Sequence, residues 1–310
     1  MVWLPVFVPL IGGLVILALR RNETVARIAS VVSMVVTVLA AWYAASIQAT
    51  GEWTWGAGLD LSVSVTDFGR VMVVLVPLIA AAVIGFAATN SEGDRAIIKL
   101  LVVLTWFVAA MELLVIANDF LTLLIGWELV GAASWGLIGH NWRDPDRPRS
   151  AREAFVTTRF GDLGIYVAAG AVFAATGSFR YDDLGSASPG WLAIVAGGLI
   201  LAAAAKSAQV PFSPWLFSAM AGPTPVSALL HSATMVAAGA YAIGGELVRS
   251  GRGGDRSRYR PCWWHGHPCP AGSQEGSRRV NVGAVRSHVD CRWDGVHGGS
   301  RRATHRTCPV

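Results

Sequence analysis

The sequence predicts an all-α, polytopic membrane protein with about eight transmembrane helices, and three observations carry that prediction. Of its 310 residues, 53% are hydrophobic and 15% charged, with a mean hydropathy of +0.48, more apolar than a soluble domain of this length requires. Apolar runs long enough to cross a ~30 Å hydrocarbon core recur near residues 2–19, 25–47, 71–90, 97–117, 120–141, 153–176, 190–210 and 223–248. Basic side chains then fall in alternate loops: Arg20, Arg21, Arg27, Arg95, Lys99, Arg143, Arg147, Arg149 and Arg152 on one side, only Arg70 and Arg180 on the other. That bias places the N-terminus outside and the 142–152 loop in the cytoplasm.

Taken in order, the first run lacks a basic leader and an A-x-A-like cleavage site, so it is expected to be a retained helix. Residues 1–118 supply four N-terminal spans, the fourth containing Glu112. Residues 119–248 form a second region in which charge enters the apolar spans. Glu128 lies about the middle of the fifth span, and Arg159 and Asp162, three apart on the sixth, share a helix face. Lys206, one of only two lysines in the chain, lies late in the seventh. A cation at that depth costs about 2.5–3.5 kcal/mol on insertion scales and calls for a partner or an internal water path.

Pro211 and Pro214 follow Lys206; each removes a backbone donor and breaks the helix. An unwound segment in a membrane is tolerated where it is buried in protein or lines a cavity. His231 lies in the eighth run, after the proline-marked GPTP turn at 222–225. Glu128, Lys206 and His231 therefore make a candidate proton path: a lysine holds its proton less tightly when desolvated and more tightly beside a carboxylate, and histidine relays protons near neutrality. A plainer reading stands beside it, in which Glu128 and Lys206 form a structural ion pair, Arg159 and Asp162 another, and His231 is a satisfied core histidine. Trp127, Trp135 and Trp142 read as packing or interfacial residues.

The last sixty residues differ from the rest. Residues 251–310 hold 11 Arg, no Lys, 5 of the 7 His and all 4 Cys, so the net charge of +5 belongs to this tail. Cys262, His265, His267 and Cys269 admit a short metal cluster, and the arginines a nucleic-acid arm. The favoured reading is a frameshift beginning between Ile243 and Gly251. Residues 273–286 shifted forward by one base permit Ala-Lys-Lys-Ala-Leu-Ala-Ala-Ser-Thr-Ser-Ala-Gln-Tyr-Gly, a lysine-led helix start, and the printed tail 249–310 is then expected to be disordered.

The strings GWELVG (126–131), AFVTTRFGDLG (154–164) and KSAQVPFSPWLFSAMAGPTPVSALLHSATMV (206–236) closely resemble the antiporter-like, proton-translocating membrane subunits of respiratory complex I, above all the NADH-quinone oxidoreductase subunit L branch. Large subunits of multisubunit sodium/proton antiporters, membrane subunits of energy-converting hydrogenases and a bicarbonate-uptake component share the same module. The resemblance covers about residues 1–245. It implies an inverted repeat of five-helix bundles, of which this chain would contain the first and the opening of the second, with a broken seventh helix. It implies that Glu128 is the essential glutamate, Lys206 its paired lysine, and His231 the continuing relay, with Arg159 and Asp162 in coupling to a neighbouring subunit.

The same resemblance implies other membrane subunits of a complex I-type assembly as partners and a bacterial-type inner membrane as the location. NADH, FMN, Fe–S clusters and quinone would belong to those partners. No flavin fingerprint or Fe–S cysteine set is legible here, so no redox centre is expected in this chain. The shifted tail reading is similar to the family's K-R-x-L-A-Y-S-T-x-S-Q segment. One departure is Phe217-Ser218, where subunit L members commonly carry an acidic residue before Ala-Met.

Overall fold

Hydropathy and capping chemistry place the first four helices. The computed structural model describes residues 1–56, 59–90, 96–220 and 222–232 and the positions 235, 238 and 239, apart from the side chains of Trp55, His231 and Ser232. Helix α1 (Leu4–Ala18) starts on Pro5 in its first turn, where a missing N–H costs nothing. Asn22 caps α2 (Glu23–Ser46) by accepting from the Val25 N–H at 3.3 Å. Helices α3 (Asp67–Asn90) and α4 (Ile97–Ile116) follow. α4 is the most enclosed, packed by α1, α2 and α3 and by the helix after it.

Between α2 and α3 the hydropathy map shows only a loop, but the structure folds it into an antiparallel hairpin. Strands β1 (Thr50–Gly56) and β2 (Leu59–Ser64) pair with Trp53 opposite Leu61 and Thr50 opposite Ser64. The alternation in LDLSVSV was the available signal. The hairpin is fastened to the α4–α5 junction: Val63 bridges to Ala117, and Asn118 Nδ2 donates to Ser62 Oγ at 3.0 Å.

Helix α5 (Phe120–Ile138) begins at Asp119, whose carboxylate accepts from the Thr122 N–H at 2.6 Å and the Ser62 N–H at 2.5 Å. One residue thus caps a span and holds the hairpin across its mouth. Burial raises the Asp119 carboxyl above its ordinary range, and the donors from Thr122 and Ser62 oppose that shift. Helix α6 (Asp146–Thr176) has 31 residues, about 46 Å at 1.5 Å per residue, and starts seven residues before the expected span. Its first turns, rich in Arg and Pro, therefore extend past the apolar stretch. It ends on Gly177 at φ 71°, a left-handed cap that glycine adopts without a Cβ clash.

Helix α7 (Pro189–Lys206) stops at Lys206, four residues short of the expected span end. Residues 207–213 are non-helical; a six-residue α8 (Pro214–Ala219) and α9 (Thr224–Ser232) follow. α6 and α7 make the most intimate helix pair. A Cβ on Gly164 would lie 2.4 Å from the Gly198 carbonyl oxygen, and one on Gly161 would lie 2.0 Å from Ala205 Cβ, so only glycine permits this approach.

Five described helices, α2, α3, α4, α5 and α7, are long and apolar enough to cross a membrane; α1 is apolar but has 15 residues. Outward-facing Leu39, Trp42, Val71, Phe86 and Phe160 are each more than half exposed, as surfaces that face acyl chains must be. The chain is a multipass helical membrane protein. Half of the eighth expected span, 223–248, and the whole tail, including Cys262, His265, His267 and Cys269, lie outside the described residues.

Candidate functional site

The close approach of α6 and α7 delivers Lys206 to the acidic face of α6. Lys206 is fully buried; its Nζ donates to the Trp127 carbonyl at 3.1 Å and stands 3.9 Å from Asp162 Oδ1. Nζ also lies 4.8 Å from the centroid of the Trp127 ring, within cation–π range. Asp162, itself fully buried, accepts from the Trp127 indole N–H through Oδ1. Trp127 is therefore clasped at both ends: its indole holds the carboxylate and its carbonyl holds the ammonium.

On the other side of Asp162 stands Arg159, Nε 3.6 Å from Oδ2. Its Nη1 pairs with Glu128 Oε2, and its Cζ lies 4.8 Å from the Phe155 ring centroid. The four groups alternate in sign, Glu128, Arg159, Asp162, Lys206, across α5, α6 and α7. Neutral overall, the string keeps each charge beside its opposite, which offsets the several kcal/mol that removing an ion from water costs. Arg159 and Glu128 are about a quarter exposed, while Asp162 and Lys206 are closed off, so the string runs from an accessible end to a buried one. Gly131 makes room at its centre: a Cβ there would lie 2.6 Å from Arg159 Nη2 and 3.4 Å from Lys206 Nζ.

This arrangement corrects one pairing. Glu128 and Lys206 do not meet as an ion pair among the described residues; Arg159 and Asp162 stand between them. The reason is geometric, since α7 reaches Glu128's helix past the face of α6 that bears both residues. Pro211 lies in the non-helical stretch after Lys206, and Pro214 opens α8. There the Trp215 indole donates to the Ala205 carbonyl at 2.8 Å, which also accepts from the Ala208 N–H at 3.2 Å, so α8 is fastened to the end of α7. The His231 backbone is in α9; its side chain lies outside the described residues.

Sequence reasoning missed the role of Trp127, grouped with packing tryptophans; its place beside Glu128 in an otherwise apolar helix was the only clue. Trp135 and Trp142 are 52% and 61% exposed, as interfacial residues are. Glu112 is fully buried in α4, and among the described residues neither of its carboxylate oxygens is hydrogen-bonded. Among the described residues no group of three or more His, Cys, Asp or Glu side chains could hold a metal ion.

A helical bundle with a string of alternating charges running between α5, α6 and α7 defines a multipass membrane protein that keeps paired charges among its apolar helices. Residues 117–248 match the family model described as NADH:quinone oxidoreductase/Mrp antiporter, transmembrane region. NADH-quinone oxidoreductase subunit L of Escherichia coli (strain K12) is 34% identical over 268 residues, covering 78% of this chain and 43% of that protein. Subunit L of Campylobacter jejuni is 37% identical over 193 residues, covering 61% of this chain and 32% of its own. Among solved structures, a chain of the Mrp complex from Dietzia sp. DQ12-45-1b matches with a TM-score of 0.69 at 28% identity, over 78% of this chain and 27% of that one.

Residues 117–248 therefore belong to the antiporter-like transmembrane family shared by NADH:quinone oxidoreductases and Mrp antiporters, and the chain is related to subunit L. It spans 32% and 43% of the length of the two curated relatives described. A chain of the archaeal membrane-bound sulfane sulfur reductase shares the fold, with a TM-score of 0.65 at 19% identity. These relatives are components of multisubunit membrane complexes.

Proposed function

We propose that this chain contributes a proton half-path to an NADH:quinone oxidoreductase-type assembly whose partner subunits hold NADH, FMN, Fe–S clusters and quinone. The observation that carries the reading is Lys206, a fully buried ammonium held by one carbonyl and facing one carboxylate. Such a lysine keeps or releases its proton according to how much of the Asp162 charge it feels. Arg159 divides its pairing between Glu128 and Asp162. When Arg159 moves toward Asp162, the field holding the Lys206 proton weakens; when it moves toward Glu128, the field strengthens. An electrostatic change arriving at Glu128 thus reaches Lys206 through two intermediates, and His231 is the residue to which the released proton passes.

Membrane vesicles bearing the assembly test this. With Lys206→Ala, acidification driven by NADH is expected to fall to background while NADH oxidation through the partners persists; undiminished acidification overturns the reading. The likeness to an Mrp complex chain favours a second reading, a cation/proton antiporter subunit with no redox partner. Dissipation of an imposed pH gradient by added sodium, without NADH, distinguishes it.

We place the N-terminus outside a bacterial-type inner membrane, with the basic 142–152 loop inside. Labelling of single cysteines introduced at residues 52 and 143 from one side or the other checks that placement. For residues 249–310 we hold to a frameshift. The coding DNA is expected to continue with apolar spans in the next frame after about codon 245, and charged, aperiodic text there would exclude it.

A further inference from the structure

A groove of about 600 Å³ opens where the start of α4, the end of α5 and the first turns of α6 meet. All three termini lie at the same end of the bundle because successive spans alternate in direction. Its walls are apolar and aromatic, with Trp135, Trp142 and Phe155 foremost, and its cations are Lys99 and Arg152. No described residue forms a salt bridge with either cation. Arg143 adds a third charge at the rim, its Cζ 4.9 Å from the Trp142 ring centroid. Trp135, on α5, and Trp142, in the loop after it, are more than half exposed, and the groove adjoins the charge string at Phe155, whose ring also carries the Arg159 guanidinium.

We infer that this groove binds an anionic phospholipid, its phosphate between Lys99 and Arg152 and the first carbons of an acyl chain along Trp135, Trp142 and Phe155. The chemistry is complementary at both ends. Two cations at the rim of an aromatic slot match a charged headgroup joined to a hydrocarbon tail, and tryptophan favours the depth at which head and tail join. A free phosphate would leave the apolar wall uncovered, and a zwitterionic headgroup would carry its own cation toward Lys99 and Arg152. The groove lies at the basic end of the bundle, where anionic lipid concentrates if that end is cytoplasmic.

Photoactivatable phosphatidylglycerol and phosphatidylcholine, carried on the assembly in mixed-lipid nanodiscs, test the assignment by mapping crosslinks to peptides spanning 135–155. Phosphatidylglycerol is expected to label that segment on the order of tenfold more than phosphatidylcholine, since each interfacial cation strengthens the attraction appreciably. Lys99→Gln with Arg152→Gln is expected to remove the preference, and Lys99→Arg with Arg152→Lys to keep it. Equal labelling by the two lipids in the unaltered protein overturns the proposal, even if the glutamine variant does not accumulate. So does a preference that survives neutralisation, or one abolished by millimolar inorganic phosphate.

Discussion

Two carboxylates, Asp162 and Glu112, are equally inaccessible to solvent, and their surroundings are opposite. Asp162 is touched by an indole N–H, a guanidinium and an ammonium; Glu112, in α4, offers two oxygens that no described residue hydrogen-bonds. Depth in the membrane does not by itself make a relay. A buried carboxylate acts on a proton some distance away when it belongs to a string whose members shift each other's charge. On the α5–α6–α7 side the chain builds such a string, and on the α1–α4 side it buries a single acid among apolar helices.

Replacing the connected acid should cost most. Asp162→Leu is expected to lower stability by about 3–5 kcal/mol, the usual consequence of leaving a buried cation unpaired, read as a fall in the thermal-unfolding midpoint of the detergent-solubilised protein. An unchanged midpoint would mean that Lys206 does not depend on Asp162. Gly198→Ala sets a Cβ 2.3 Å from the Gly164 carbonyl oxygen. Forcing the helices apart should cost about 1–3 kcal/mol and also reduce acidification in the vesicle assay, because the same approach brings Lys206 to Asp162.

A smaller loss, about 1–3 kcal/mol, is expected for Trp127→Phe, which keeps the ring and the backbone carbonyl and deletes the donor to Asp162. Glu112→Leu should move the other way, neutral or stabilising by about 1 kcal/mol, since it removes a buried polar group that no described residue hydrogen-bonds. A destabilisation as large as that of Asp162→Leu would reveal a partner and erase the contrast. At the exposed hairpin, Arg180 pairs with Glu52 at 3.0 Å and both are well solvated. Arg180→Gln should cost less than about 1 kcal/mol, measured in the same melt.

Much of the bundle was legible because the signals are local. Apolar run length marks α2, α3, α4, α5 and α7, glycine closes α5 and proline opens α7. Lys206, Glu128, Arg159 and Asp162 were legible as residues because a charge in an apolar span is conspicuous. The hairpin was not, since 50–64 is too polar for a span and its alternation covers only a few residues. Nor was Trp127: an aromatic side chain in an apolar helix carries no sign of where its N–H points.

Sequence alone determined the class of the molecule and which side chains, Glu112, Glu128, Arg159, Asp162 and Lys206, carry charge into its apolar helices, because transfer from water to hydrocarbon depends on each residue's own chemistry. Which charge faces which was decided by the tertiary structure. Glycines at 161, 164 and 198 let α6 and α7 touch, and that contact puts Asp162, rather than Glu128, beside Lys206. Electrostatic energy depends on separations of a few ångströms between groups tens of residues apart, and those separations exist only once the helices have packed.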